Sequence, residues 1–441
     1  MVPAPIMIQS KVQKVKLSIW KNDTKIDRRF VTADGYTRFC WSDSQQGLLK
    51  SAFFWGYLVL QIHGGTLAEK YGTKRVLGLA LLITAILTLL TPLIAKWNIW
   101  ALFVSRILIG IAEAVTYPSL PPLVQKWVPE SEKSKFISFT YTGGNLGTVV
   151  TYPLCGWILS NLDWEAVFYI TGGFSVLWFV LWYLVVTDDP RGQKCIKSQE
   201  IEWIEKSRTD TVKTDVLPPY FEILKSPAVW TFILCDFANG WGLYTILTEG
   251  PNFISNVLHQ DIANNGLLNA LPHLAALLMS FVLGSLSDWI LIKGYLTESA
   301  NFKLFEILGL AGVGLALALM GFFTENYLIC VSILTIGFSL RGALYSGHIK
   351  AIMKLSPNFS GTVFGYSNGL GSVSGIFTPI VTAALTESDK SDPVNWRYVF
   401  LIATGIEAVA LLNFLVNAKF TAQPFDEIAM KNVKESNEIK A

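Results

Sequence analysis

Charged residues are scarce in this sequence. They make up 15% of its 441 residues, whereas soluble proteins typically carry charge on about a quarter of theirs. The 35 basic and 33 acidic side chains leave a formal net charge of +2, so no excess of one sign points to nucleic acid as a partner. An ordinary soluble fold and a nucleic-acid-binding protein are both disfavoured.

Cysteine and catalytic motifs are equally sparse. The five cysteines are scattered without a CxxC pair, so neither a disulfide framework nor a metal cluster is predicted. His63, His273 and His348 have no metal-binding spacing and are predicted to be packing or loop residues. The sequence also lacks a GxxxxGK[ST] phosphate loop, a nucleophile elbow and a zinc motif. We therefore expect no enzyme activity, no cofactor and no metal, with a coupling ion such as H⁺ or Na⁺ left open.

Apolar sequence is plentiful instead. Residues of the set AVILMFWYC make up 51% of the chain, and a membrane-spanning helix needs roughly 20 mostly apolar residues. Eleven runs bounded by charges or turn residues qualify as candidate spans. They lie near 47–67, 76–95, 98–119, 136–160, 164–186, 228–249, 266–290, 304–323, 327–349, 361–385 and 397–417.

One long polar stretch divides these runs into two groups of five and six. Its Lys and Arg content predicts a cytoplasmic linker, and the basic loops on the same side agree by the positive-inside rule. Asn22 begins a glycosylation sequon in the segment predicted to lie outside, which fits that location or arises by chance. The predicted divisions are a polar segment 1–46, a first bundle 47–186, the linker 187–227, a second bundle 228–417 and a cytoplasmic tail 418–441.

The two groups of spans repeat one another. GTLAE at 65 recurs as GSLSD at 284, YTGGNLG at 141 as YSNGLG at 366, and WEAVFYITG at 164 as WRYVFLIATG at 396. Three echoes in the same order are typical of a transporter built from repeats. The first half has one span fewer, so we expect either that a first helix was lost or that the chain starts late.

These motifs resemble the major facilitator superfamily. GTLAEKYGTKR, from Gly65 to Arg75, is similar to the loop between that family's second and third helices, where the resemblance implies a cytoplasmic gate. The gate residues it implies here are Gly65, Glu69, Gly72, Lys74, Arg75 and, in the second-half echo, Asp288. The expected fold is an all-α polytopic membrane protein of two pseudo-symmetric helical bundles, with 11 spans and the first helix missing.

Four longer segments narrow the resemblance. SAFFWGYLVLQIHGG, RILIGIAEAVTYPSLPPLVQKWVP, GWILSNLDWEAVFYITGG and GYSNGLGSVSGIFTPI are similar to the branch of sialin, vesicular glutamate transporters and sodium–phosphate cotransporters. That branch implies an anion transporter driven by protons, sodium or membrane potential. The chain departs from it at Lys50, where the glutamate transporters have histidine, and at Asn239, where they have arginine in helix seven. Pro121 stands where sialin-like members carry a histidine shortly after the proline of the YP motif, so neither glutamate nor sialic acid is favoured as a substrate.

Two charges on one predicted span are functional candidates because ionisable residues within a membrane are costly. Arg106 and Glu113 are seven residues apart, which places both on one helix face. The resemblance to the branch's R-I-L-x-G-x-x-E motif implies that Arg106 contacts the anion and that Glu113 takes part in ion coupling. The alternative is a structural ion pair with other helices.

Arg341 lies in the repeat-mate of the Arg106 span, at an offset of 235. Two arginines on equivalent helices would face a central anion, although Arg341 would also fit an inner gate. Lys50, at the outer end of its helix, is a candidate for coupling or simply extends to the interface. The remaining candidate substrate-binding residues are Tyr57, Asn239, Tyr244 and Asn368.

The sequence thus predicts a secondary active transporter of an organic anion or inorganic phosphate, working by alternating access. The alternatives are a transport-incompetent relative that acts as a sensor or partner subunit, and an incomplete twelve-helix transporter. We expect a monomer in a lipid bilayer with a small anionic solute as its partner, located in the plasma membrane or in a vesicular or lysosomal membrane.

Overall fold

The structure is a computed structural model that describes most of the chain. The described residues are 29–31, 37–39, 41–128, 133–193, 196–207, 218–357 and 359–426. Two three-residue strands, β1 (Arg29–Val31) and β2 (Thr37–Phe39), pair antiparallel ahead of the first helix. The described residues after them form helices or connect helices. Asn22 lies outside the described residues, as do the side chains of Thr66 and Glu69.

Helices account for both halves of the chain. The first half contains α1 (Asp43–Gln61), α2 (Gly64–Tyr71), α3 (Thr73–Trp97), α4 (Ile99–Glu113), α5 (Leu120–Trp127), α6 (Lys133–Asn161) and α7 (Trp164–Val185). Between the halves lie α8 (Ser198–Ser207) and α9 (Tyr220–Lys225). The second half contains α10 (Pro227–Tyr244), α11 (Gly250–Asn256), α12 (Ile262–Ile292), α13 (Glu298–Met320), α14 (Tyr327–Arg341), α15 (Lys350–Leu355), α16 (Ser360–Gly371), α17 (Ser374–Thr386) and α18 (Pro393–Asn417).

Each predicted apolar run falls on one of these helices or on two consecutive ones. Seven helical stretches among the described residues are long and apolar enough to cross a membrane. The predicted total of eleven spans stays a prediction. Large apolar side chains such as Phe174, Leu184 and Val416 stand exposed along α7 and α18, which suits surfaces that meet lipid tails.

Glycines set how closely the helices of the first half approach. A Cβ atom on Gly56 of α1 would overlap the Ile107 carbonyl oxygen, and one on Gly110 of α4 would overlap the Phe53 carbonyl oxygen. Small residues at such crossings let helix backbones touch, which is how helices associate where no hydrophobic force acts between them. The α1–α4 contact fixes the helices that carry Tyr57 and Glu113.

The internal repeat is visible in the helix caps. The Asn98 side chain accepts from the second N–H of α4, and Asn326 does the same for α14, 228 positions later. Both helices then run for 15 residues. This register pairs Arg341 with Glu113, the last residue of each helix, and not with Arg106. The predicted offset of 235 placed Arg341 two turns from its true counterpart, because no landmark inside either span fixes the register.

The two halves pack through two pairs of helices. Helix α6 packs along α12, and α1 packs along α17. In the first pair a Cβ on Gly266 of α12 would meet the Tyr152 backbone of α6. The Tyr152 hydroxyl also donates to the Leu247 carbonyl oxygen, in the turn after α10, at 2.8 Å. The remaining facing surfaces, from α1, α4, α10, α14 and α16, surround the candidate site.

Candidate functional site

Three predicted substrate-binding residues come together where the halves face each other. The Tyr57 hydroxyl on α1 and the Asn368 side chain on α16 interact through a hydrogen bond. On α10, the Tyr244 ring packs against Phe54 with ring centroids 4.5 Å apart. The Tyr244 hydroxyl interacts electrostatically with the Tyr57 hydroxyl. Their side chains join both halves across the middle of the molecule.

Arg341 lies in the same region. Its Nε–H donates to the Asn239 Oδ1 atom at 2.9 Å, so two predicted residues from α14 and α10 contact each other directly. The guanidinium is partly accessible and interacts electrostatically with Tyr117 and Tyr244. A guanidinium held by one N–H and still accessible can grip a carboxylate with its other donors.

Arg106 is placed differently from Arg341. It is only 9% exposed, and its guanidinium lies 5.7 Å from the centre of the Phe168 ring on α7. Its Nε and Nη2 atoms have no hydrogen-bond partner among the described residues. The structure therefore shows a buried cation beside Phe168, with two nitrogen donors that no described residue fills.

Glu113 ends α4 close to two tyrosines that sequence reasoning missed. Tyr117, just beyond α4, interacts electrostatically with Glu113, Arg341 and Tyr345. The Asn145 Nδ2–H of α6 donates to the Tyr345 hydroxyl oxygen at 3.2 Å. Tyr117 and Tyr345 are 228 positions apart, the same spacing as the helix caps, so the repeat itself was the signal that would have found them.

On the side that the positive-inside rule places outside, the site is closed by ion pairs between the halves. Lys50 Nζ on α1 lies 2.7 and 2.8 Å from the two carboxylate oxygens of Glu249, with the two side chains 9% and 4% exposed. Asn252 donates to the same carboxylate at 2.8 Å. Lys390, before α18, pairs with Asp43 at the start of α1. Lys50 was predicted as a coupling residue, and Glu249 was not predicted at all.

The predicted cytoplasmic gate residues lie at the opposite end. Gly72 has φ +87°, a left-handed conformation suited to glycine, and a Cβ there would overlap Asp188. Asp188 Oδ1 accepts from the Lys74 backbone N–H at 2.8 Å and so caps α3. Gly65 packs near the Pro118 carbonyl oxygen, and Arg75 is exposed.

In the second half, the gate echo forms its own ion pair. Asp288 at the inner end of α12 binds Lys350 with 2.6 Å between Oδ1 and Nζ. Nearby, Lys354 binds Glu298 at 2.9 Å. Both pairs join helices of the same half.

Comparison with known proteins agrees with this architecture. Residues 30–379 match the model of the Major Facilitator Superfamily. Human sialin is 33% identical over 386 residues, which are 88% of this chain and 78% of sialin. A putative inorganic phosphate cotransporter of Drosophila melanogaster is 32% identical over 83% of this chain and 70% of its own length. Vesicular glutamate transporter 2 of Bos taurus is 29% identical over 92% of this chain and 70% of its own length.

Solved structures share the fold at lower identity. The crystal structure of a D-xylose–proton symporter superposes with a TM-score of 0.65 at 15% identity, covering 86% of this chain and 88% of that one. A bacterial homologue of the human lysosomal transporter Spinster, inward-facing and unoccupied, gives a TM-score of 0.62 at 17% identity, covering 87% and 92%. The predicted fold class is confirmed. The chain belongs to the major facilitator superfamily, in the branch of sialin, vesicular glutamate transporters and inorganic phosphate cotransporters, and is a multi-span secondary transporter, not an enzyme.

Proposed function

We propose that this protein transports a small organic anion, whose carboxylate binds Arg341 between the two halves. The observation that carries the proposal is the Arg341 guanidinium, held by Asn239 and surrounded by tyrosines. A planar guanidinium stays charged and matches the two oxygens of a carboxylate. Sialin and the vesicular glutamate transporter, whose names specify organic anions, support the class without fixing the compound.

The lining favours an organic anion over inorganic phosphate. Tyr57, Tyr117, Tyr244 and Tyr345 provide aromatic faces for a carbon skeleton and hydroxyl groups for hydrogen bonds. A phosphate site more often gathers several cations or the N–H groups of a helix N-terminus. Asn239 and Asn368 add amide groups that suit a polar organic solute.

The arrangement of ion pairs supports alternating access as the mechanism. Lys50 with Glu249 and Asp43 with Lys390 hold the halves together on the side that the positive-inside rule places outside. We therefore infer an outward-closed state, in which the cycle proceeds when these pairs break and the halves rock about the central site. Glu113, beside Tyr117, is our candidate acceptor for a coupling proton, and Lys50 acts as a gate residue.

Transport by the purified chain in liposomes tests the proposal. Uptake and exchange of labelled glutamate, aspartate, sialic acid and phosphate would be measured under imposed pH, sodium and voltage gradients. Arg341→Ala should weaken anion transport by about 100-fold, since charge-assisted bidentate contacts contribute several kcal/mol, and Arg341→Lys should recover part of it.

Arg106→Ala serves as the matched comparison. It removes an arginine of equal charge whose guanidinium packs on the Phe168 ring. A larger loss of anion affinity in Arg106→Ala than in Arg341→Ala would overturn the assignment of Arg341 and restore Arg106 as the anion contact. Transport of phosphate alone would overturn the organic substrate class.

A further inference from the structure

A histidine lies between two carboxylates inside the second half. His348 Nε2 is 3.1 Å from Asp236 Oδ1 on α10, and His348 Nδ1 is 3.4 Å from Glu306 Oε1 on α13. His348 belongs to a five-residue π-helical turn, Tyr345–Ile349, that follows α14. The three residues, called here the Asp–His–Glu cluster, come from three different helical segments.

The cluster is shielded at one end and open at the other. The side chains of Glu306, His348 and Asp236 are 1%, 6% and 15% exposed, so accessibility increases toward Asp236. The Glu306 carboxylate has the His348 ring and the Cys235 thiol as its hydrogen-bonding neighbours, whereas Asp236 Oδ2 accepts from Ser367 Oγ of α16 at 2.5 Å.

Apart from its own members, the described side chains found in contact with the cluster are an aromatic ring, a thiol and a hydroxyl. The Phe232 ring lies 5.3 Å from the His348 ring, and Cys235 is the remaining titratable neighbour on α10. The Cys235 thiol points to the Ala410 carbonyl oxygen of α18 at 3.8 Å. From α16 the contact is the Ser367 hydroxyl. The charge of the cluster is therefore set by its own three members.

Counting protons shows what the cluster can do. With both carboxylates ionised and the imidazole neutral, two negative charges would be buried without compensation, at a cost of several kcal/mol each. One proton on His348 leaves a single surplus negative charge, and a second proton leaves none. The cluster can therefore have a net charge of −1 or 0, and these two states differ by one proton. A low-dielectric interior tolerates both of them.

The cluster is connected to the anion site. Asp236 and Asn239 are three residues apart on α10, so their side chains lie on one face, and Asn239 accepts from Arg341. In the empty site, the surplus negative charge of the cluster faces the positive charge of Arg341. A bound anion neutralises Arg341, which then no longer offsets the surplus negative charge of the cluster.

We propose that the Asp–His–Glu cluster is a proton-binding site that takes up one proton when an anion binds Arg341 and returns it to water when the anion leaves. This inference rests on the proposed function. The proton comes from the aqueous side to which the site is open, is held between His348 and a carboxylate, and leaves on the opposite side. Anion and proton then cross together, without a change in covalent structure beyond the N–H or O–H bond.

Two assays on the same proteoliposomes separate this coupling from transport itself. One measures accumulation of the anion driven by a pH gradient, and the other measures anion exchange at equal pH on both sides. Glu306→Gln keeps the size of the side chain and removes one carboxylate. We expect it to lower accumulation by about tenfold or more, within the usual range of coupling between sites, and to leave exchange within about threefold.

Additional variants guard against a folding defect. Asp236→Asn should give the same loss of accumulation with retained exchange, and exchange itself reports that the protein is folded. Glu298→Gln is the matched control, because it neutralises an exposed glutamate on the same helix that pairs with Lys354. Wild-type accumulation in both Glu306→Gln and Asp236→Asn would overturn the inference, whereas a wild-type protein that exchanges no anion would overturn the proposed function instead.

A metal ion is the competing occupant. Cys235, Glu306 and His348 each offer a ligand atom, and these atoms all lie within 4.8 Å of one another. Cys235→Ser separates the two, because a proton site needs no thiolate. Unchanged accumulation in this variant supports the proton site. Stoichiometric zinc in the purified protein that is lost with Cys235→Ser would overturn it.

Discussion

On the side that the positive-inside rule places outside, two ion pairs, Lys50–Glu249 and Asp43–Lys390, join the two halves. On the inner side, Lys350–Asp288 and Lys354–Glu298 join helices within the second half. The outer pair of Lys50 and Glu249 is 9% and 4% exposed. The inner pair of Lys350 and Asp288 is 39% and 60% exposed. The first pair must break whenever the halves separate outside, and the second can persist through the whole cycle.

The outer and inner pairs also differ in burial, and burial determines how much free energy is lost when a pair is broken. Breaking a buried pair by removing one partner costs about 3–5 kcal/mol, because an uncompensated charge stays behind. An exposed pair contributes about 0–1 kcal/mol. The outer pairs therefore bias the equilibrium between the two access states, while the inner pairs add little to the stability of each bundle. Because the pairs that cost most to break lie on the outer side, the outer side is the closed side in this structure.

The largest expected effect comes from breaking the buried outer pair. Glu249→Gln leaves Lys50 unpaired and should favour separation of the halves outside, slowing exchange by about 100-fold, as 3 kcal/mol or more would give. The measurement is anion exchange in proteoliposomes. Labelling of Thr386→Cys, a buried position beside this pair, by a membrane-impermeant maleimide should become faster.

A charge swap is the control for the outer pair. Lys50→Glu with Glu249→Lys restores an ion pair in reversed order and should recover exchange to within about tenfold of the wild type, whereas each single reversal should not. Equal defects in the swap and in the single variants would mean that the pair does not act as a gate.

A smaller effect is expected inside the first half. Asp188→Ala removes the side chain that caps α3 at the Lys74 N–H, which typically costs about 1 kcal/mol. The bond joins elements of one half, so thermal stability should fall while the labelling rate of Thr386→Cys stays the same. Asp163→Ala is the matched control, because Asp163 precedes α7 without a capping hydrogen bond from its side chain. A change in outer labelling would contradict the assignment of this cap to one bundle.

The smallest effect is expected at the inner surface pair. Lys350→Ala removes a partly exposed partner of Asp288, and exchange should change by less than about fivefold. Exchange assays on this variant beside Glu249→Gln give the comparison directly. Loss of transport as large as that of Glu249→Gln would show that the inner pair also gates.

Much of the fold could be predicted because membrane-spanning helices are recognised in a sequence by their length and apolar content. The run near 76–95 becomes α3, Thr73–Trp97, and the run near 397–417 becomes most of α18. The gate motif could also be predicted, since the turn at Gly72 needs a left-handed conformation that glycine adopts readily. Arg341, Asn239, Tyr57 and Asn368 were all selected as polar groups within apolar spans, and the structure groups them in two contacting pairs.

The contacts between distant residues could not be predicted in the same way. Glu249 lies 199 positions from Lys50, and His348 lies 112 positions from Asp236, so no spacing within one helix reveals either pair. Glu306 was overlooked because it stands alone in an apolar span. The register between repeats was also hidden inside the spans, and only the Asn98 and Asn326 caps fix it at 228.

Two π-helical turns hold key residues of both the outer gate and the buried cluster. Thr245–Glu249 ends on Glu249, and Tyr345–Ile349 contains Tyr345 and His348. A π turn holds one residue more than an α turn in the same helix, and each residue turns an α-helix by about 100°. Deleting one residue from either turn would therefore leave an ordinary α turn, so that the rest of the helix stays in phase while the residues of the turn itself change face. Such a chain would keep its apolar spans and still insert into the membrane. Glu249 would no longer contact Lys50, so the length of these two turns cannot change without loss of their functional contacts.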